Sequence, residues 1–400
     1  MKSLLASIFS PIFSSIFSLI FSFPRSLVLS LILILPLTPP LSAQANILYS
    51  FLGAPDGSQP YSALIPDHSG GFYGSTEIGG TGPCTYLNRT VGCGTIFHLT
   101  PDGHGGWDES ILYSFQDGDD GAYPMTPLTI DSSNNLYGTT IPTTQSCPPW
   151  CGIVYRLTPQ GEFTILHTFS ENKDSAFPIT GVILDSSGNL YGTTGGFHHG
   201  QGTLFELAND GNWTLTNIKR FDGGAKQGGL PEAPLVFDSS GNLYGALVSG
   251  GKYGYGGVFQ LHFDGQGRTG WQSKFIHWAK DPIDNTQQLL FGSDGTLYAR
   301  GSTLIFSLKP VDGKWKYHYI HKFKSAAYSF AVDSGGNLYS IAGGLYLSSF
   351  DGTKWHTSEL NASLGGGGEM RSAIWFDGVI YGTFIVPNSS GAGGVWSYQP

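Results

Sequence analysis

After residue 45 the chain reads as short apolar runs cut by clusters of Gly, Asp, Ser and Asn. In GTIFHLT, GIVYRLT and GTLFELA, an aromatic ring and a leucine alternate with a residue that changes from run to run. Apolar positions at a period of two belong to strands with one packed face, and glycine-rich clusters between them belong to tight turns. The changing position (His98, Arg156, Glu206, Gln260, Ser307) is therefore expected on the wetter face. Only 12% of residues are charged, which argues against a long helical or coiled-coil protein.

One phrase recurs. It reads DHSGGFYGST, DSSNNLYGTT, DSSGNLYGTT and DSSGNLYGAL, then weakens to GSDGTLYARG, DSGGNLYSIA and DGVIYGTF. Its tyrosines are Tyr73, Tyr137, Tyr191, Tyr244, Tyr298, Tyr339 and Tyr381, spaced by 64, 54, 53, 54, 41 and 42 residues. Repeats of this length built from strands predict a propeller. The apolar stretch before each Asp gives a strand A, the LYGTT part a strand B, the GTVFxL type a strand C, and the LYSF type a strand D. Asp followed by Ser-Ser-Gly-Asn makes a tight A–B turn, with the Asp side chain capping it and the Gly at positive φ. The last unit, ending GVWSYQP, has no strand D, while residues 46–51 (NILYSF) are a strand D with no unit before it. Joining the two predicts an all-β, seven-bladed propeller of four-stranded blades over residues 46–400, closed by the N-terminal strand. Closure removes the exposed edges of an open array.

These phrases resemble the GloVer tandem repeat of exported bacterial proteins, a LYGTT core followed by GG and GTVFxL. The match is best through about Tyr255. The resemblance implies a secreted, propeller-like protein and brings no catalytic residues. Some members of that family bear a C-terminal anchor, which the ending GVWSYQP does not resemble.

Residues 1–45 break the pattern. Their charges are Lys2 and Arg25, an apolar run follows at 27–37, and Ala43 and Ala45 form an A-x-A cleavage site. This predicts a signal peptide ending at Ala45. The competing reading is an uncleaved anchor, but the run is short for a span and Pro36, Pro39 and Pro40 interrupt it. Loss of Lys2 and Arg25 would take the net charge from -9 to -11. Such a balance disfavours nucleic acid and anionic membranes as partners. It suits an exported, extracellular or periplasmic protein, expected to be monomeric and without a membrane span in its mature part.

Four cysteines fall in two B–C loops, which predicts the disulfides Cys84–Cys93 and Cys147–Cys151; a shared zinc site is the alternative. The acidic D–A loop with Asp117, Asp119 and Asp120 offers candidate calcium ligands, against the plainer reading of a solvated turn. No other cofactor is expected. D–A and B–C loops share one face of a propeller. Trp150, His198, His199, Tyr253 and Tyr255 would all lie there and would suit a glycan or a peptide. The function read from the sequence is a non-catalytic binding propeller with its ligand on the loop face of the first four blades. The alternative is a secreted hydrolase or lyase acting on glycans, which requires paired carboxylates, or a His with a carboxylate, on that face.

Overall fold

The computed structural model describes residues 45–86, 89–141, 152–170, 177–195, 200–265, 270–284, 286–360, 362–364, 367–387 and 393–400. Residues 43–400 form one compact unit. It is an all-β, seven-bladed propeller of antiparallel four-stranded blades. The first blade runs Ile65–Pro66, Phe72–Thr76, Thr95–Pro101 and Trp107–Ser114, and the third runs Val182–Leu184, Leu190–Thr194, Thr203–Ala208 and Thr214–Arg220. The other blades follow the same A-to-D order, and strand A of the seventh is split into Glu369–Met370 and Ile374–Phe376.

Closure occurs as expected. Asn46–Ser50 pairs antiparallel with Gly393–Tyr398 as strand D of the seventh blade, with Asn46 opposite Ser397 and Ser50 opposite Gly394. Ala45 lies buried in the apolar cluster of this blade; Ala43 is outside the described residues.

The repeated phrase explains the inside of each blade. The Gly of LYGTT lies across from the strand C aromatic: Gly192 pairs with Phe205, and a Cβ on Gly192 would sit 2.6 Å from that ring. Gly74, Gly138, Gly245 and Gly382 face Phe97, Tyr155, Phe259 and Trp396 in the same way. A side chain there would overpack the core.

The same phrase also joins the blades. The hydroxyl after that Gly donates to a carbonyl of the next blade: Ser75 to Pro124 (2.6 Å), Thr139 to Pro178 (3.1 Å) and Thr193 to Pro231 (3.0 Å). Thr383 of the seventh blade donates to Ser62 of the first at 3.3 Å, so the ring closes with the bond used elsewhere. The fourth blade has Ala246 at this place and lacks the donor. In the fifth, Arg300 replaces the hydroxyl and donates to Ala327 O at 2.6 Å; burial lowers its pKa to about 10.

Rings complete the joints. Four of the repeat tyrosines meet a Trp at or just before the start of the next blade's strand D: Tyr137–Trp213 at 6.2 Å, Tyr191–Trp271 at 5.8 Å, Tyr244–Trp315 at 5.7 Å and Tyr298–Trp355 at 6.1 Å, while Tyr339 stacks on Trp375 of the next strand A. A ring pair adds about 0.5–1.5 kcal/mol beyond its burial, and one hydrogen bond nets about 1 kcal/mol. Neither dominates, so a joint that has both depends on both.

Candidate functional site

The A–B turns of the first six blades are each built around one Asp side chain. Asp185 Oδ1 accepts the N–H groups of Ser187 (2.8 Å) and Asn189 (2.9 Å), while Oδ2 accepts Asn189 Nδ2 (2.8 Å) and the Tyr191 hydroxyl (3.2 Å). Asp131 and Asp238 repeat these bonds with Tyr137 and Tyr244. Burial pushes both carboxyls up, but the donors outweigh it and hold them below the usual range. In the first blade His98 Nε2 lies 2.7 Å from Asp67 Oδ2, and its ring stacks on Tyr73 at 4.2 Å.

This corrects the expected wetter side of strand C. The changing position lies directly across from the repeat Tyr, and Glu206, Gln260 and Ser307 are buried. Glu206 and Gln260 hydrogen-bond Tyr191 and Tyr244. Blades stack face against face, so both sides of strands B and C are covered, and variation there is variation of a buried partner.

On the opposite, loop-bearing face, the D–A loops carry a second latch. Tyr49 OH donates to Asp56 (3.3 Å), Tyr113 OH to Asp120 (3.0 Å), and His277 Nε2 lies 2.9 Å from Asp284; in each pair the acid is seven residues on. Asp120 also accepts the N–H groups of Gln116 and Gly118. It is thus committed to its own loop, and Asp117 holds that turn with a φ of 58°. Among the described residues no group of three or more His, Cys, Asp or Glu side chains is placed to hold a metal ion. Cys84 and Cys93 form a disulfide with Cα atoms 5.0 Å apart. Cys147, Cys151, Trp150, His198 and His199 lie outside the described residues.

Tyr253 and Tyr255 are exposed in the B–C loop of the fourth blade. The Lys252 ammonium lies 5.0 Å from the Tyr253 ring centroid. Lys252 and Tyr253 open onto a cavity of about 410 Å³ with Trp278, His277, Asp284 and Tyr317 in its wall. His277 stacks on Tyr317 at 4.9 Å, and the Oδ1 atom of buried Asp284 has no hydrogen-bond partner. Of the two tyrosines singled out in the sequence, Tyr253 borders this cavity; the histidine–aspartate pair, from strand D and the loop after it, carried no sequence signal.

A further cluster comes from three blades. The Arg371 guanidinium lies 4.3 Å from the Tyr328 ring centroid and 5.6 Å from that of Tyr61, and its Nη2 donates to Glu369 at 2.7 Å. All three residues stand where a strand A is entered from the loop face. A cavity of about 580 Å³ lies beside them, lined in part by Tyr328, Glu359, Glu369 and Met370. No repeated phrase contains these residues, so no sequence signal marked them.

The model of the Gloeobacter/Verrucomicrobia repeat matches residues 34–196 and 143–347. No curated protein matches the chain. Among solved structures, virginiamycin B lyase from Staphylococcus aureus is similar at a TM-score of 0.57 and 12% identity, over 88% of this chain and 99% of that one. PorZ, a surface component of the type-IX secretion system of Porphyromonas gingivalis, is similar at a TM-score of 0.58 and 15% identity, over 87% of this chain and 47% of that one. The extracellular domain of a putative one-component system from B. thetaiotaomicron gives 0.56 and 13%, over 90% of this chain and 42% of that one. At these identities the likeness is one of fold.

Proposed function

Since the chain belongs to the Gloeobacter/Verrucomicrobia repeat family, we propose that it is an exported propeller that binds a glycan or peptide on the face carrying its D–A and B–C loops. The observation that carries this reading is the cavity beside Tyr253, with Trp278 and Tyr317 in its wall and Lys252 at its edge. Rings with a polar rim suit a saturated sugar or a peptide side chain. The disulfide, the leader at 1–45 and similar extracellular structures support export.

A glycan and peptide array tests this. Tyr253→Ala should weaken the best ligand by about tenfold, the usual effect of losing one anchoring ring. Tyr255→Ala should act the same way, and Ser187→Ala in a turn of the far face should have no effect. If Ser187→Ala weakens binding and Tyr253→Ala does not, the site is on the wrong face.

A second reading draws on His277 and Asp284, a histidine with a carboxylate in the same cavity. Such a pair suits proton transfer in a hydrolase or lyase. The same latch is made by Tyr113–Asp120 and Tyr49–Asp56, which favours a structural role. Turnover of an array-identified glycan that His277→Ala abolishes would establish the enzyme.

A further inference from the structure

The outer strand of the fifth blade has a charge pattern found in no other described strand. The chain holds 20 Lys and Arg in 400 residues and is acidic overall, yet Lys309, Lys314, Lys316, Lys322 and Lys324 fall within one short stretch. His318 and His321 lie among them, and Asp312 is the one acid. In strand D, Lys314–Lys322, the side chains of Lys314, Lys316, His318, Tyr319 and Lys322 are exposed.

Edge strands often carry lysine to block pairing with other chains. That need is common to all seven outer strands. Trp107–Ser114, Phe163–Thr168, Trp355–Leu360 and Asn46–Ser50 have no lysine; Thr214–Arg220 and Trp271–Trp278 have one each. The three of Lys314–Lys322 exceed it. Lys314 and Lys316 point to the same side of the strand about 7 Å apart, where like charges repel. A fold pressed only to close its ring gains nothing from this.

Beside this strand lies a cavity of about 750 Å³ between the fifth and sixth blades, with Lys309, His318, Tyr319, Phe350, Lys354 and Trp355 in its wall. Trp355 serves the ring joint with Tyr298. Phe350 packs one side on Trp355 at 5.5 Å, and Phe350 and Tyr319 are still 52% and 56% exposed at the rim of a basic groove. Lys309 pairs with Asp294 at 2.8 Å, but both are half exposed, so the pair is open to exchange.

We propose that this groove binds an acidic glycan, a chain bearing carboxylate or sulfate groups at intervals. Tyr319 and Phe350 would pack on the C–H faces of its sugars, and Lys309 and Lys354 in the wall, with Lys316 directly across from Lys309 on the neighbouring strand, would meet its anions. This site is separate from the loop face. The occupant is a glycan and not nucleic acid on grounds of charge density. Duplex DNA carries one charge per about 1.7 Å and would be repelled by the acidic remainder of this protein. A sparsely charged glycan meets only the basic groove.

The test uses immobilised polygalacturonate, its fully methyl-esterified neutral form, a sulfated glycan and a duplex oligonucleotide at low salt. The protein should bind polygalacturonate, lose it as salt rises, and bind neither the ester nor the oligonucleotide. A Lys316→Gln, Lys354→Gln, Tyr319→Ser variant changes exposed positions only. It should melt with the parent and bind about tenfold or more weakly. Tyr253→Ala should leave this binding unchanged, which keeps the groove distinct from the loop-face site. Equal binding by parent and triple variant overturns the proposal. So does absence of binding to both polygalacturonate and a sulfated glycan, or retention of the oligonucleotide as tightly as the uronate.

Discussion

Tyr381 of the seventh blade meets Trp107 of the first with ring centroids 6.5 Å apart. This is the pairing that Tyr137 makes with Trp213 and Tyr191 with Trp271 one blade further on. The seam where the ring closes is therefore chemically a joint like the others, although its two sides come from opposite ends of the chain.

Deleting residues 46–51 removes the strand paired with Gly393–Tyr398 and bares that edge. The expected outcome is loss of the single cooperative transition in calorimetry, with aggregation through the free edge. A truncated protein that melts at the parent temperature would contradict the closed ring.

Trp315→Ala should lower stability by about 1–3 kcal/mol, less than for a fully buried ring because Trp315 is only partly covered. It removes the partner of Tyr244 at a joint that has no hydroxyl donor, since Ala246 replaces the threonine. Urea unfolding measures it. An effect within error would mean that the joint is held by other contacts.

Gly192→Ala should cost about 1–3 kcal/mol, because the new methyl falls 2.6 Å from Phe205. Pairing it with Phe205→Leu should recover part of the loss. A double variant no better than the single one would show that the ring is not the obstacle.

Glu109 sets a pH dependence at the closing seam. Burial, and then the charge of Asp56, push its carboxyl from 4.5 up to about 7. The folded state thus favours the neutral acid, and its contribution to stability is full below pH 4.5 and is lost as the pH rises through 7. The parent should therefore melt lower at pH 8 than at pH 5 relative to Glu109→Gln, which carries no titrating group. Parallel melting profiles for the two would reject this account.

The blades and their closure were legible because turn chemistry and alternation are local, and seven copies of Asp-to-Tyr make the period visible. Cross-strand and cross-blade chemistry was harder to read. A period of two was taken to mean one wet face, whereas Glu206 and Gln260 are buried against the repeat tyrosines by the neighbouring blade. The joint tryptophans did leave a trace, since Trp213, Trp315 and Trp355 stand two or three residues after the Gly of an Asp-Gly turn. The Tyr61–Arg371–Tyr328 cluster left none, because its members converge only when the ring shuts.

The seam also fixes an order of events. Asn46 faces Ser397, so the first strand to emerge has no partner until the last has been delivered. Each intermediate blade can zip up from its own four consecutive strands as it appears, but the seventh cannot. A chain threaded through a membrane from its N-terminus would therefore stay an open arc for the whole passage. It would lock only on the far side, with arrival of the C-terminal strand acting as the clock.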